Sequence, residues 1–542
     1  MALLQSLLSC VVGLVLYAVW SRFFARNPLD DIPGPPRQHW CTGNLEQVFA
    51  QYAWGFHKML AERYGPVSKF YGLFGTRQLY VFDPKAMHHI MIKDQNVFEA
   101  PPSFLATNKL VFGDGLLSTS GEHHRRQRKL LNPVFSISHI RHLVPNFYQV
   151  TKRLRDAIAM QVEHCPGEIN MFEWLNRTTF EMVGQSGLGY SLDSLKEGDA
   201  NPFSIAVKNL LPSIFKVSVA REFLPWLIHM GPPGLRRYIV NILPWKALKE
   251  INGIIDIMDK ISTEVFEDKK RALSEGDEAV MRQVGQGRDI MSTLLRANMN
   301  ASAEDRLPDS ELLAQMSTLV FAATHTTAGA LSRILFTLAH HQDAQDRLRE
   351  EFQEGMGEKG ELDYETLANL DYLDAVCKET LRLYPPVTSV SRTTRDDTIL
   401  PFSHPIKGNS GKDIHEVLVP KNTEVVVSIL GSNRNPEIWG KDALEWNPER
   451  WLSSLPQSAT NSQIPGVYSH LMTFIGGGRS CIGFKFSELE MKVILSILIP
   501  TFKFTPAQEI EWTMLVSSPK VKGSEDAKWQ LPLRVEMISA SH

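Results

Sequence analysis

The sequence predicts a mainly helical fold with a small β-sheet subdomain, preceded by one N-terminal transmembrane helix. Three observations predict it: an apolar run from Leu3 to Trp20, a proline-free helical stretch from Ser310 to His340, and β-branched clusters that are short and confined to two regions. The 542 residues, 43% hydrophobic and 22% charged, have globular composition, which excludes disordered, collagen-like and fibrous classes. A formal charge of -3 and the lack of interleaved basic and aromatic motifs argue against a nucleic-acid partner. The five cysteines, Cys10, Cys41, Cys165, Cys377 and Cys481, are odd in number and dispersed, so neither a disulfide framework nor a paired-cysteine zinc site is expected, and a reducing compartment fits.

Leu3–Trp20 contains only Gln5, Ser6 and Ser9 as polar side chains over roughly 27 Å of helix, just enough to span a bilayer. No basic segment precedes it and no small-residue cleavage site follows, so an anchor within residues 1–26 is expected in place of a cleaved signal. Arg22 and Arg26 place the rest of the chain on the cytosolic side, with the endoplasmic reticulum as the expected membrane. Residues 27–36, with Pro33-Gly34-Pro35-Pro36, read as a stiff hinge, and 37–542 as one continuous catalytic domain without repeats or long linkers. The sequons at Asn176 and Asn300 would face the cytosol and stay unmodified.

Strands are expected around Val67–Tyr71 and Gln78–Phe82 and between Glu416 and Ile429. The polar segment Ser274–Pro308 reads mostly as a surface connection. The long helix after it should be capped by Asp309 or Ser310, and its centre, Leu319–Ala323, is apolar on all sides and must cross the interior. Phe98–Leu117, Leu210–Met230, Phe321 and Pro386–Val390 are the expected pocket-forming stretches; Leu210–Met230 serves equally as a membrane contact.

The stretch Phe474-Ile475-Gly476-Gly477-Gly478-Arg479-Ser480-Cys481-Ile482-Gly483 is a glycine-rich turn that delivers a cysteine to the start of an apolar helix, about Phe484–Leu498. Glycines let backbone N–H groups approach sulfur, and a helix N-terminus adds positive potential, so a thiolate able to bind iron is favoured. Arg479 offers a fixed cation to an anionic group such as a haem propionate. This loop resembles the cytochrome P450 pattern F-x-x-G-x-R-x-C-x-G, matched at Phe474, Gly477, Arg479, Cys481 and Gly483. The anchor and loop look like those of membrane-anchored microsomal members, fungal ones in particular.

The resemblance extends from Pro33 to about Pro532 and implies the cytochrome P450 fold, with haem bound through the Cys481 thiolate. Glu379-Thr380-Leu381-Arg382 matches the family's E-x-x-R, and Asn447-Pro448-Glu449-Arg450-Trp451 its second arginine element; Glu379, Arg382 and Arg450 are thereby implied as a structural network under the cysteine loop. By position, Arg392, Arg128 and His124 are implied as haem-propionate contacts, with His124 where tryptophan is commoner. Arg125, Arg126 and Lys129 read either as a solvated basic face or as a contact for an acidic redox partner.

Ala322-Ala323-Thr324-His325-Thr326-Thr327 resembles the family's oxygen-activation segment, with Ala323 replacing glycine and His325 replacing an acid, while Thr326 is retained. His325 then either joins Thr326 in proton delivery or turns to water or a buried carbonyl. The implied reaction is monooxygenation of a lipophilic terpenoid, sterol or aromatic compound, a specialised-metabolite role. Its electrons come from NADPH through cytochrome P450 reductase. An isomerase or dehydratase without oxygen activation, and a haem carrier or sensor, are the alternatives.

Overall fold

The computed structural model describes residues 27–164, 167–196, 201–285, 287–355, 361–514, 516–525 and 528–538. The expected anchor, residues 1–26, lies outside them. The chain forms two compact units. One comprises residues up to Glu99 with Thr388–Ala443 and Pro456–Gly478; the other comprises Ala100–Val387, Leu444–Leu455 and Arg479 onward.

The first unit is built on a five-stranded sheet in the order Val67–Tyr71, Arg77–Val81, Glu424–Ser428, Ser389–Thr394, Phe98–Glu99. Val67–Tyr71 and Arg77–Val81 pair antiparallel with Val67 opposite Val81, and Arg77–Val81 runs parallel to Glu424–Ser428 with Leu79 opposite Val425. β-branched and aromatic side chains explain the strands, since Phe70, Tyr80, Phe82 and Val426 join Val48 and Leu60 in a buried cluster. The Tyr80 hydroxyl, taken into that core, donates to Ser428 Oγ at 2.6 Å and so remains satisfied. The proline segment expected as a hinge is docked here. A turn at Pro28–Asp31 is capped by Asn27, and the Pro33 carbonyl then accepts the Lys69 N–H at 2.8 Å. Gly34 permits that approach, because a Cβ there would lie 1.8 Å from the Lys69 carbonyl oxygen.

The second unit is mainly helical. The helices that bear on the site are α1 (Pro102–Phe112), α2 (Gly121–Leu131), α3 (Met171–Met182), α4 (Pro202–Phe215), α5 (Ser218–Arg221), α6 (Asp309–His340), α7 (Asp371–Leu383) and α8 (Phe484–Thr501). Helix α6 is long and apolar enough to cross a bilayer, but 72% of its most apolar window is buried within the protein, which makes it the core helix that the sequence predicts. Its N-cap is Pro308, without a side-chain cap; Asp309 pairs instead with Lys270 at 2.6 Å.

The segment Ser274–Pro308 departs from the expectation of a surface connection. It holds helices Asp277–Arg282 and Ile290–Asn300, the second started by Asp289, whose carboxylate accepts the Ser292 N–H at 2.9 Å and pairs with buried Lys269 at 3.0 Å. The reason is the short amphipathic pattern Ile290, Met291, Leu294, Leu295, all buried, inside an otherwise polar composition. Of the apolar run Leu210–Met230, Leu210 is buried whereas Trp226 and Met230 are 68% and 64% exposed. A three-stranded sheet of Glu168–Asn170, Pro532–Met537 and Phe502–Pro506 was not foreseen.

Candidate functional site

Cys481 stands just before α8, with an accessible side chain that surrounding protein nonetheless desolvates. Burial pushes its thiol pKa up, while the Gly483 N–H bonded to the sulfur and the charge of Arg128 pull it down. The backbone N–H expected from the sequence is therefore present, Arg128 adds a charge that the cysteine loop alone did not indicate, and desolvation opposes both. Arg128 on α2 donates from Nη1 to the Ser480 carbonyl at 2.6 Å. Its guanidinium is half-buried and meets no carboxylate among the described residues. Arg479 donates from Nη2 to the Thr119 carbonyl at 2.7 Å, and His124 is buried on α2. The second unit thus brings Arg128, in the last turn of α2, against the Cys481 loop before α8, with Arg479 held to Thr119 just ahead of α2 and His124 one turn before Arg128 on the same helix.

Phe474 and Arg392 belong to the first unit. The Phe474 ring meets Tyr468 edge-on at 5.3 Å. Gly477, at φ 75°, lies so close to the Met91 carbonyl that a Cβ would come to 1.9 Å, so glycine is required there for backbone approach. Arg392 lies in strand Ser389–Thr394 opposite Val425 and donates from Nη1 to the Ser391 carbonyl at 2.8 Å.

On α6, Ala322 is exposed and Phe321, Ala323 and Thr326 are partly so, which opens one side of an otherwise buried helix. Thr326 Oγ1 donates to the Ala322 carbonyl at 2.7 Å, leaving its lone pairs to the open side. His325 lies on the buried side. Its Nδ1 accepts from Asn176 Nδ2 at 3.0 Å, its Nε2–H donates to the Val207 carbonyl at 3.1 Å, and Trp529 stands edge-on at 5.7 Å. Burial lowers its pKa from 6.5 to about 4, partly opposed by the Val207 carbonyl. Thr179 Oγ1 also donates to the Thr324 carbonyl at 3.0 Å, so α3 is fastened to α6 at this turn.

Because the folded-state pKa is depressed, the unfolded chain takes up a proton between pH 6.5 and about 4 that the folded chain refuses. Stability from His325 is full above pH 6.5 and lost as pH falls through 4, by up to roughly 3 kcal/mol. His325→Gln is expected to flatten unfolding free energy against pH in that window. Denaturant melts across it check this, and an unchanged slope would refute it.

The Glu379 carboxylate on α7 takes a bidentate fork from Arg382, Nε to Oε2 and Nη2 to Oε1, both at 2.8 Å. It also accepts Asn447 N–H at 3.1 Å and Trp451 Nε1–H at 2.9 Å, with Arg450 Nε at 3.5 Å. The Arg382 Nη2 further reaches the Glu445 carbonyl at 3.2 Å. Glu379, Arg382 and Arg450 therefore do meet, in the interior of the second unit.

Two residues of this region escaped the sequence reading. Asn176 stood out only as a sequon; it is buried and holds His325, which bars glycosylation of the folded chain. Glu490 on α8 is buried, and neither carboxylate oxygen has a hydrogen-bond partner among the described residues. Burial raises its pKa well above 4.5, opposed by the Thr327 hydroxyl, which approaches the carboxyl without meeting full hydrogen-bond geometry. The available signal was an acid interrupting the apolar run of α8. Since a raised acid pKa costs stability as pH rises above 4.5, Glu490→Gln is expected to increase the thermal midpoint at neutral pH, by on the order of 2 °C, and less at pH 4. A midpoint lowered equally at both pH values would show that the carboxyl is paired.

An accessible single sulfur ligand beside an arginine without a carboxylate suits a metal macrocycle that carries anionic groups. A coordinated metal also overcomes the burial that disfavours the thiolate. The residues present fit haem.

The family model described as Cytochrome P450 matches residues 33–522. Cytochrome P450 monooxygenase 91 of Postia placenta is 49% identical over 538 residues, 99% of each chain. Ganoderic acid synthetase of Ganoderma lucidum is 41% identical over 531 residues, 97% of each chain.

Proposed function

Because the chain belongs to the cytochrome P450 family and is a monooxygenase, we propose that it oxidises a lipophilic terpenoid, sterol or aromatic compound in specialised-metabolite biosynthesis. Electrons pass from NADPH through cytochrome P450 reductase. The observation that carries the site assignment is the accessible Cys481 beside the half-buried Arg128. Cys481 would hold haem iron as its thiolate, and Arg128, Arg479 and His124 of the same unit would receive propionates. Bound haem supplies the activation of dioxygen that places one oxygen atom in the substrate.

The chain's own residues do the rest. Thr326 holds and passes a proton at Oγ1 on the open side of α6, with Ala322 accepting its hydrogen bond and fixing its rotamer. His325, with both ring nitrogens engaged and a pKa of about 4, keeps α6 attached to α3 and α4 and acts as a positioning residue. This favours the buried-carbonyl reading over a proton relay through the histidine. Glu379, Arg382 and Arg450 are structural.

The apolar run Leu3–Trp20 followed by Arg22 and Arg26 supports a single-pass anchor in the endoplasmic reticulum membrane with the body cytosolic. Exposed Trp226, Met230 and Ile242 support further contact with lipid. The relative named for ganoderic acid synthesis supports a specialised-metabolite role.

The test is NADPH-dependent turnover of a lipophilic panel in microsomes with reductase under isotopically heavy dioxygen. One labelled oxygen atom in product is expected. Product without label would point to an isomerase or dehydratase, and haem binding without any turnover to a carrier or sensor.

A further inference from the structure

Arg221, the last residue of α5, carries a guanidinium only partly used by the protein. Its Nε donates to Thr107 Oγ1 on α1 at 3.0 Å, and Thr107 gives its own proton to the Ser103 carbonyl at 2.7 Å. The adjacent Glu222 is bonded to the Ser103 side chain, one turn earlier on α1. Neither Nη group of Arg221 has an acceptor among the described residues. Burial lowers the Arg221 pKa, and the only charge opposing it is that of Glu222, whose own pKa is raised by burial. A partly buried guanidinium whose Nη fork has no acceptor among the described residues matches a carboxylate.

Helix α1 leads from Arg221 to the Thr326 side of α6. The Phe112 ring at its C-terminal end lies 4.9 Å from Phe321. Just after α1, a Cβ on Gly113 would lie 3.3 Å from Ala314 Cβ, and one on Gly115 2.8 Å from Thr318 Oγ1. Ala314, Thr318, Ala322 and Thr326 recur every fourth residue and share one stripe of α6. The chain after α1 covers the first two, and the stripe opens at Ala322 and Thr326. Five residues along α1, the 4.9 Å ring contact and five residues along α6 give a path on the order of 20 Å from Thr107 to Thr326.

Resting on the haem-site reading above, we propose that Arg221 binds the carboxylate of a lipophilic acid substrate, held in orientation by Thr107, so that oxidation falls at the far end of the molecule. A rigid polycyclic terpenoid acid or an extended fatty acid has the required span, with one anionic end and an otherwise apolar body.

The test is equilibrium dialysis of the full-length protein in lipid nanodiscs against a triterpenoid acid, a long-chain fatty acid and the methyl ester of each. Wild type is expected to bind at least one acid about ten- to a hundredfold more tightly than its ester. Arg221→Gln should erase that ratio by weakening the acid alone, and Arg221→Lys should retain part of it. A ratio near one in wild type, or no binding of any of the four, overturns the proposal. Equal weakening of acid and ester in Arg221→Gln also overturns it, because that describes a latch between α5 and α1. Dialysis does not need haem, so a missing thiolate-type spectrum would strike the haem reading while this comparison still stands.

Discussion

Cys481→Ser is expected to eliminate the red-shifted carbon monoxide difference band of the reduced protein and to abolish turnover, with helix content unchanged. Serine is nearly isosteric, so α8 and the Gly483 turn should fold as before. The hydroxyl, however, is a poor soft-metal ligand and does not ionise at neutral pH, so thiolate-type ligation is lost entirely. No other described cysteine can substitute within the second unit: Cys377 is buried on α7 with its pKa pushed up to about 12, where a thiolate is inaccessible. Arg128 and Arg479 are untouched by the change, so weak residual haem retention with a neutral-ligand band is compatible with it. A wild-type band that persists in the variant would mean that sulfur at this position is not the ligand.

What was legible in the sequence divides along physical lines. Local pattern sufficed for strands Val67–Tyr71 and Glu424–Ser428, for α6 and for α8, because they are β-branched or apolar through most of their length and are buried on nearly all sides. The spacing of Phe474, Gly477, Arg479, Cys481 and Gly483 was equally readable, since the glycine requirement at 477 is a backbone clash and leaves a mark in the sequence. Long-range pairing was not. Asn176 and His325 lie 149 residues apart and meet only because α3 crosses α6, so the protonation of His325 could not be read from its own segment. The same holds for Glu490, whose burial depends on what covers α8. Ser274–Pro308 shows the reverse failure: average polarity concealed the helix Ile290–Asn300, whose Ile290, Met291, Leu294 and Leu295 are inside although Met299 is 62% exposed. Division into two units was also invisible, because the chain enters and leaves each unit repeatedly without a linker of distinctive composition.

Glu379→Ala is expected to destabilise the protein by about 3–5 kcal/mol, enough to leave little folded haem-loaded protein at 37 °C. Both Glu379 and Arg382 have side chains 0% exposed, so removing the carboxylate strands a guanidinium where water cannot reach it. The loss extends to the Asn447 N–H and the Trp451 indole N–H, which share the same acceptor and tie the 444–455 segment to α7. Glu379→Gln should cost less, since an amide oxygen still accepts one of these donors. Removing both partners, with Arg382→Ala added, should cost less than the sum of the single changes, because neither charge is then left alone. The exposed pair Arg347–Glu449 supplies the contrast within the same unit: Arg347→Ala should change ion-pair stability by less than about 1 kcal/mol, as solvent screens it. Urea melts of the five variants, Arg382→Ala alone included, decide the matter. If Glu379→Ala costs no more than the exposed-pair variant, the Glu379 network does not hold the fold, and the buried charge at its centre would have to serve haem incorporation instead.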